Sequence, residues 1–332
     1  MQSLRVGIVA GEASGDQLGA ALMQALSAGG PVEFAGAGGE AMRGIGLDCH
    51  VQSESLAVMG LSEVVRHLPR LLGARRALRD HMLAWRPDVF VGVDAPDFNL
   101  GLEAKLRAAG IPTVHYVSPT VWAWRPGRVR KVRRSADLVL CLLPFEPGFY
   151  EAHGVRAEFV GHPMADVLSP DVDRPAARAQ LGLGPDQVVI GLLPGSRHSE
   201  VERLGPVFAD TAVWLAQRRP GIRFVAPMAG TGLRALFERS LAERGADATL
   251  LDGRSHTVLA AANAAVVASG TATLEAMLLG CPMVACYRVS RMTAAIARPL
   301  MIVDRFAMPN LLAGDAFVPE FIQDTVSAAA VG

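Results

Sequence analysis

Residues Val266–Gly280 read VVASGTATLEAMLLG and are followed by Cys281-Pro282. The apolar run Ala264–Ala268 is too short for anything but a buried strand. A Ser269-Gly270-Thr271 turn comes next, then a helix whose apolar Leu274, Met277 and Leu278 recur at helical spacing. Ser269 or Thr271 is placed to cap that helix, Gly280 to end it, and Pro282 forbids its continuation. Strand, glycine turn and helix N-terminus together present free N–H groups and a positive dipole end, which suits a diphosphate. Glu275 stands about one turn in, where a carboxylate can accept bonds from ribose hydroxyls. Taken alone, the stretch also reads as an ordinary strand–helix turn, so the rest of the chain decides.

The same pattern occurs twice more. Arg5–Ala10 (RVGIVA) reads as a buried strand, Gly11–Asp16 (GEASGD) as a glycine-containing loop and Leu18–Leu26 as a helix. Val188–Leu193 (VVIGLL), the turn Pro194–Arg197 and a helix over Val201–Gln217 repeat it. Two such openings imply an α/β fold of two Rossmann-like doubly wound domains facing a cleft, each starting its own parallel sheet. In the first half, strands at Glu33–Ala35, Val89–Val93, Thr113–Tyr116, Leu138–Leu142 and Ala157–Val160 alternate with helices. Those helices are Ala57–Leu72, Arg75–Trp85, Leu100–Ala109 and Arg128–Arg134. The second half adds strands Arg223–Pro227 and Ala248–Leu251 and helices Leu233–Arg244 and Thr257–Ala262. The Pro- and Asp-rich piece Ser169–Pro175 marks the break, giving an N-terminal domain over 1–170 and a C-terminal one over 176–332.

Composition narrows the function classes. The 332 residues are 51 % hydrophobic and 19 % charged with zero net charge, so no overall field favours nucleic acid. Cys49, Cys141, Cys281 and Cys286 form no C-x-x-C pair, which fits reduced cytosolic thiols and argues against zinc. A strand begins within a few residues of Met1, leaving no room for a signal peptide. No run approaches the roughly 18–20 apolar residues of a membrane span. A soluble cytoplasmic protein is expected, one that meets membranes only at their surface.

The chemistry-bearing stretches cluster at strand ends. Gly36-Ala37-Gly38-Gly39-Glu40-Ala41 matches the dinucleotide fingerprint, yet it follows the domain's second strand and lacks an acid about 20 residues on. P-loop, G-x-S-x-G and H-E-x-x-H motifs are absent. Asp94-Ala95-Pro96-Asp97-Phe98-Asn99 follows VFVGV, at the carboxyl end of a strand, where open α/β sheets bind ligands. Asp94, one residue past the strand, is the candidate general base, whereas Asp97 and Asn99 read better as caps of a helix starting near Leu100. Glu12, Ser14 and Asp16 hold the equivalent crest of the first strand. Ser196-Arg197 puts a guanidinium, a donor fork matched to phosphate oxygens, at the crest of the second domain's first strand. Acids on one crest, with a cation and a helix N-terminus on the other, are what a nucleotide-sugar transferase requires. An Arg and a helix dipole stabilise a departing diphosphate without metal, so no metal or other cofactor is expected.

Two basic stretches remain. Arg66, Arg70, Arg75, Arg76 and Arg79 interleave with Leu68, Leu71, Leu72 and Leu78, a pattern suited to an anionic membrane surface or to a solvated helix face. Trp122, Trp124, Arg125, Arg128, Arg130, Lys131, Arg133 and Arg134 combine rings with cations, as for stacking on bases or gripping phosphates. A phosphorylated or lipid-bearing small substrate fits them better than nucleic acid.

The chain resembles the bacterial lipid-A-disaccharide synthases, inverting GT-B glycosyltransferases. The resemblance rests on Val9–Asp16 (VAGEASGD), Leu56–Gly60 (LAVMG), Asp88–Asn99 (DVFVGVDAPDFN) and His115–Arg125 (HYVSPTVWAWR). It continues through Leu143–Glu146 (LPFE), Val160–Asp166 (VGHPMAD), Leu192–Arg197 (LLPGSR), Ser269–Leu278 (SGTATLEAML) and Met308–Gly314 (MPNLLAG). It implies transfer of 2,3-diacylglucosamine from its UDP donor to 2,3-diacylglucosamine 1-phosphate (lipid X), giving the β-1′,6-linked disaccharide 1-phosphate and UDP. It further implies Asp94 as the base, with Glu12, Ser14 and Asp16 shaping the acceptor side. Ser196, Arg197, Gly270, Thr271, Ala272, Thr273, Glu275 and Asn310 would hold UDP. Arg66–Arg79 then reads as a surface for docking on the cytoplasmic face of the inner membrane. Family members continue past the position of Gly332 with helices that can be exchanged between subunits, so a homodimer through such a region is a further expectation. The rival readings are a UDP-sugar 2-epimerase-like isomerase of the same fold and an inactive binding protein.

Overall fold

The computed structural model describes residues 3–52, 61–123, 126–297, 299 and 301–332. The motif Leu56–Gly60, the first residues of the expected helix Ala57–Leu72, Trp124 and Arg125 lie outside the described residues. The chain divides into two compact units, Met1–Pro163 and Met164–Gly332.

Seven parallel strands build the first unit: β1 (Leu4–Ala10), β2 (Val32–Gly38), β3 (Asp48–Gln52), β4 (Val89–Val93), β5 (Thr113–Tyr116), β6 (Leu138–Cys141) and β7 (Ala157–Phe159). Their order is β3-β2-β1-β4-β5-β6-β7. The chain therefore winds outward from β1 through β2 and β3, then returns to the other side of β1 with β4. Successive side chains leave the sheet on opposite faces, and both faces are covered. Val6, Ile8, Ala10, Val91 and Val93 enter one core cluster, while Val9 and Phe90 enter the cluster on the other side.

The second unit repeats the plan with six parallel strands: β8 (Val189–Leu193), β9 (Arg223–Met228), β10 (Thr249–Asp252), β11 (Ala264–Ala268), β12 (Met283–Tyr287) and β13 (Glu320–Ile322). Their order, β10-β9-β8-β11-β12-β13, reverses beside the unit's own first strand in the same way. Leu192, Val266 and Ala268 pack on one face, and Val189, Leu193, Ala265 and Val267 on the other. Two Rossmann-like units make the α/β, GT-B reading hold.

The units part earlier than the Pro- and Asp-rich break at Ser169–Pro175. Leu168 and Val172 pack against the second unit's core. Buried Arg178 donates from Nε to Ala261 O (3.1 Å) and from Nη2 to Asn263 Oδ1 (2.8 Å), which ties the helix Arg174–Gln180 to the same unit. The expected helices Ala57–Leu72 and Arg75–Trp85 are one helix over Leu61–Trp85, running on through Pro69 and Gly73. Leu71, Ala74, Leu78 and Met82 explain the continuity, since they keep one apolar stripe against the sheet. The tail, weakly patterned in sequence, ends in a short helix, Ala328–Val331, capped by Ser327 with Val331 buried in the core.

Candidate functional site

In an open parallel sheet, ligands gather at the carboxyl ends of the strands where the strand order reverses. In the first unit that point lies between β1 and β4, whose last residues, Ala10 and Val93, are paired. Glu12 follows one strand and Asp94 the other. Asp94 and Ala95 both adopt left-handed backbone angles, with φ of 49° and 42°. For residues other than glycine each such conformation costs about 1–3 kcal/mol and persists only where the surroundings impose it. Asn99 does much of the imposing. Wholly buried, it donates from Nδ2 to Val9 O (3.2 Å), Val93 O (3.1 Å) and Asp94 O (2.9 Å), stitching both strand ends together. It is not a helix cap, as its position suggested. The helix Pro96–Ala108 starts after Ala95 with no capping side chain, and Asp97 pairs instead with Arg128.

Beneath Asn99 lies a buried polar pair, Glu103 Oε1 and His115 Nδ1 at 2.7 Å. Gly92 makes room for both helix residues: a Cβ there would lie 2.1 Å from Glu103 Oε1 and 2.9 Å from Asn99 Cβ. Asn99 Oδ1, Glu103 Oε2 and His115 Nε2 are buried with no hydrogen-bond partner.

The neighbouring acids divide in role. Glu12 is half-buried at the start of the helix Ala13–Ala28 and makes no capping bond, while Ser14 is exposed in its first turn. Asp16 is buried and accepts from Gly39 N (2.7 Å), Ala41 N (2.9 Å) and Met42 N (3.2 Å). It therefore fills the N-terminus of the helix Glu40–Gly44, where the fingerprint-like GAGGEA would otherwise seat a pyrophosphate. Both of its oxygens are engaged by the fold.

In the second unit the reversal lies between β8 and β11, where Leu193 pairs with Val267. Ser196 and Arg197 follow β8, and Gly270 follows β11. The Glu200 carboxylate accepts from Ser196 N (3.0 Å) and Arg197 N (3.3 Å), so the helix His198–Arg218 is closed by its own acid. The Arg197 side chain is left 57 % exposed with one long contact to Glu200, at 3.4 Å. The helix Thr271–Leu278 is different. Its N-cap is Gly270 at φ 152°, a conformation glycine adopts without strain, and no side chain caps it. Ser269, expected as a cap, donates its hydroxyl to Phe306 O (2.8 Å). Thr271 is exposed, and Ala272 turns its methyl to the core, so each offers the crest its backbone N–H. Thr273 is fully buried, donating to Gly270 O (2.7 Å) and accepting from Met308 N (3.2 Å).

Glu275 is mostly buried, and its Oε2 has no hydrogen-bond partner. His256 Nε2 stands 3.5 Å away, a neighbour to which no motif or spacing points. Tyr287, at the end of β12, stacks on Phe306 with ring centroids 5.6 Å apart. Burial pushes its hydroxyl pKa up, with Glu200 adding to the effect and Arg197 opposing it. Asn310 is not free to hold a ligand. It donates to Val318 O (2.8 Å) and Glu320 Oε1 (2.6 Å), and accepts from Phe317 N and Val318 N. Glu320 in turn receives Phe306 N and Ala307 N, so Asn310 braces the loop beside Ser269.

The basic stretches also sort themselves. Leu71 and Leu78 belong to the core and Arg79 pairs with Asp80, leaving Arg70, Leu72 and Arg76 outward; the Arg66 and Leu68 side chains lie outside the described residues. Trp122 donates to buried Glu146 (2.9 Å), whose pKa burial pushes up. Burial also lifts the Cys141 and Cys286 thiols to about 12 and Cys281 to about 11, which leaves them unreactive. Among the described residues, no cluster of His, Cys, Asp or Glu is arranged to hold a metal ion, and no helix is long and apolar enough to cross a membrane.

A profile of the family described as lipid-A-disaccharide synthetase matches residues 6–331. The lipid-A-disaccharide synthase of Pseudomonas fluorescens is 53 % identical over 332 residues, 100 % of this chain and 88 % of that protein. That of Xanthomonas euvesicatoria is 51 % identical over 326 residues, 96 % of this chain and 74 % of that protein. Among solved structures, MurG of Acinetobacter baumannii superposes with a TM-score of 0.57 at 14 % identity, covering 100 % of this chain and 89 % of that one. The UDP-GlcNAc 2-epimerase of Neisseria meningitidis superposes with a TM-score of 0.60 at 13 % identity, covering 95 % and 90 %. The structural likenesses speak for the fold alone, since a transferase and an epimerase share it. The sequence likeness is to the synthases.

Proposed function

The chain belongs to the lipid-A-disaccharide synthetase family, and from that membership we propose that it transfers 2,3-diacylglucosamine from UDP to the 6-hydroxyl of 2,3-diacylglucosamine 1-phosphate. The hydroxyl oxygen attacks the donor's anomeric carbon from the face opposite UDP, so the β-1′,6 linkage forms as the bond to the diphosphate oxygen breaks. Asp94 takes the hydroxyl proton. UDP leaves with the bonding electron pair, and its charge is met by Arg197 and the N–H groups of Thr271 and Ala272. Glu275, with His256 beside it, accepts from the ribose hydroxyls. Asp16, Thr273 and Asn310 act through the fold rather than on substrate.

The observation that carries this reading is the position of these groups: Glu12 and Asp94 flank the reversal of one sheet, Arg197 and Gly270 that of the other. The epimerase reading leaves Asp94 and its imposed conformation without work. Both substrates carry acyl chains, so we also assign the chain to a membrane surface, with Arg70, Leu72 and Arg76 facing outward in support. The homodimer implied by the resemblance is checked by sedimentation equilibrium.

The deciding assay is UDP release from UDP-2,3-diacylglucosamine in detergent micelles, with and without lipid X and with no added metal. Acceptor-dependent release with a disaccharide product is expected. Acceptor-independent change of the donor sugar would replace this reading with the epimerase.

A further inference from the structure

The helices Leu61–Trp85 and Val129–Ser135 both pack against the helix Pro96–Ala108, and three cations from the flanking elements gather over its first turn. Arg75 reaches in from the first of them. Its Nη2 donates to Asp97 O (3.0 Å), and its guanidinium carbon lies 4.9 Å from the Phe98 ring centroid. Its Nε is buried with no hydrogen-bond partner. Arg128, from the turn Pro126–Arg128, pairs with the Asp97 carboxylate. Lys131, one turn further on, is exposed. Partial desolvation by its neighbours still lowers its pKa against the pull of Asp97, and Arg128 and Arg75 lower it further.

Like charges held this close need an answer, and among the described residues one exposed acid, Asp97, acts on them. The Asp97 side chain is 81 % exposed. The other acid felt by Lys131 is Glu103, which is fully buried against His115. At the surface the cations thus outnumber the acid three to one. The first turn of the middle helix, uncapped, adds the positive end of its dipole.

We propose that Arg75, Arg128 and Lys131 form a subsite for a phosphate monoester, the 1-phosphate of the acceptor sugar. The inference rests on the transfer reading, in which the acceptor is a sugar 1-phosphate. Asp94 lies two residues before this helix. The acceptor carries its 6-hydroxyl (through C6 on C5) and its 1-phosphate on the two ring carbons that flank the ring oxygen, so one sugar reaches both Asp94 and the cations. Two guanidinium forks and an ammonium suit a dianion with three acceptor oxygens. Asp97 holds Arg128 in place and is itself accessible, so the phosphate takes the outward sides of the cations. A headgroup phosphate of an anionic lipid offers the same chemistry, and the test separates the two sources.

Arg128→Gln and Lys131→Gln, singly and together, are compared with wild type for acceptor KM, donor KM and kcat in neutral detergent. Each single variant is expected to raise acceptor KM about tenfold and the pair about a hundredfold, with donor KM unchanged within twofold. With an acceptor lacking the 1-phosphate, wild type and variants should perform alike. Equal losses on both acceptors, or a matching rise in donor KM, would overturn the subsite. Vesicles of phosphatidylcholine with and without phosphatidylglycerol form the second arm. Weakened binding to anionic vesicles with an unchanged acceptor KM would hand the cluster to lipid headgroups and end the proposal. Should wild type release no UDP, the transfer reading fails by itself. Calorimetric titration with glucosamine 1-phosphate then still decides the subsite: binding lost in the double variant supports it, and equal or absent binding in wild type overturns it.

Discussion

The helices Glu40–Gly44 and Thr271–Leu278 both start at a sheet crest after a strand and a glycine, yet their first turns hold different things. In the first, Asp16 fills the space and takes three N–H groups. In the second, among the described residues, no side chain caps the N–H groups. The same pair of treatments recurs: Glu200 closes the helix His198–Arg218, while the helix Pro96–Ala108 starts uncapped behind a strained Asp94. Any helix N-terminus attracts an anion. Whether it becomes structure or site depends on whether the fold supplies the anion itself. Here the two filled ends stabilise the units, and the two open ones carry Asp94 and the N–H groups of Thr271 and Ala272; Arg197 stands at a filled end with its side chain left exposed.

Substitutions of Asp94 at an open end, and of the exposed Arg197 side chain, should cut function and spare stability. The largest effect is expected from Asp94→Asn, which keeps the shape but removes the base. Turnover should fall roughly 10²–10⁴-fold with UDP affinity and melting temperature unchanged. Near-normal turnover in a stopped assay would take the reaction away from this crest. Arg197→Ala comes next. Its contact with Glu200 is long and exposed, so its loss costs the fold little. UDP binding by calorimetry should weaken roughly 10- to 100-fold, the worth of a charged hydrogen bond. Unchanged binding would leave the diphosphate to the helix alone.

The filled ends should behave in the opposite way. Asp16→Ala orphans buried N–H groups of Gly39 and Met42 and should destabilise the first unit by about 2–3 kcal/mol. Thermal melts should drop by about 4–12 °C while acceptor KM per folded molecule stays put. A raised acceptor KM without a drop in melting temperature would return Asp16 to the acceptor side.

Much of this was legible in the chain itself. Apolar runs bounded by glycine turns gave both sheets, because strands buried on two faces have no polar alternation to blur them. β3 (DCHVQ), β12 (MVACY) and the three-residue β13 are not legible in the sequence: β3 and β13 are edge strands, short and partly polar, while the interior β12 follows directly on Gly280-Cys281-Pro282, which reads only as a helix stop. The crest positions of Asp94, Arg197 and Gly270 followed from the strand ends. What the sequence could not give was occupancy. Asp16 meets Gly39 across 23 positions and Asn310 meets Glu320 across 10, so their hydrogen bonds depend on tertiary placement rather than spacing. Asn99 reads as a cap in the sequence because a polar residue near a helix start usually is one. Only the close approach allowed by Gly92 turns it inward toward the ends of β1 and β4.

His256 tests the finest division, within the open end of the second unit. Its imidazole is half exposed and 3.5 Å from Glu275 Oε2, so the pair contributes little to the fold by itself. If its part is to hold that carboxylate toward the ribose, His256→Ala should raise donor KM by roughly two- to fivefold, the range of a weak exposed pair. The effect should vanish when the nucleotide lacks the hydroxyl that Glu275 accepts from, which 2′-deoxy- and 3′-deoxy-UDP distinguish in competition binding. A loss of the same size on every analogue would mean that His256 supports the helix end in general. No loss on any would mean that the buried geometry of Glu275 holds without help, and the open N-terminus would be complete in the helix Thr271–Leu278 alone.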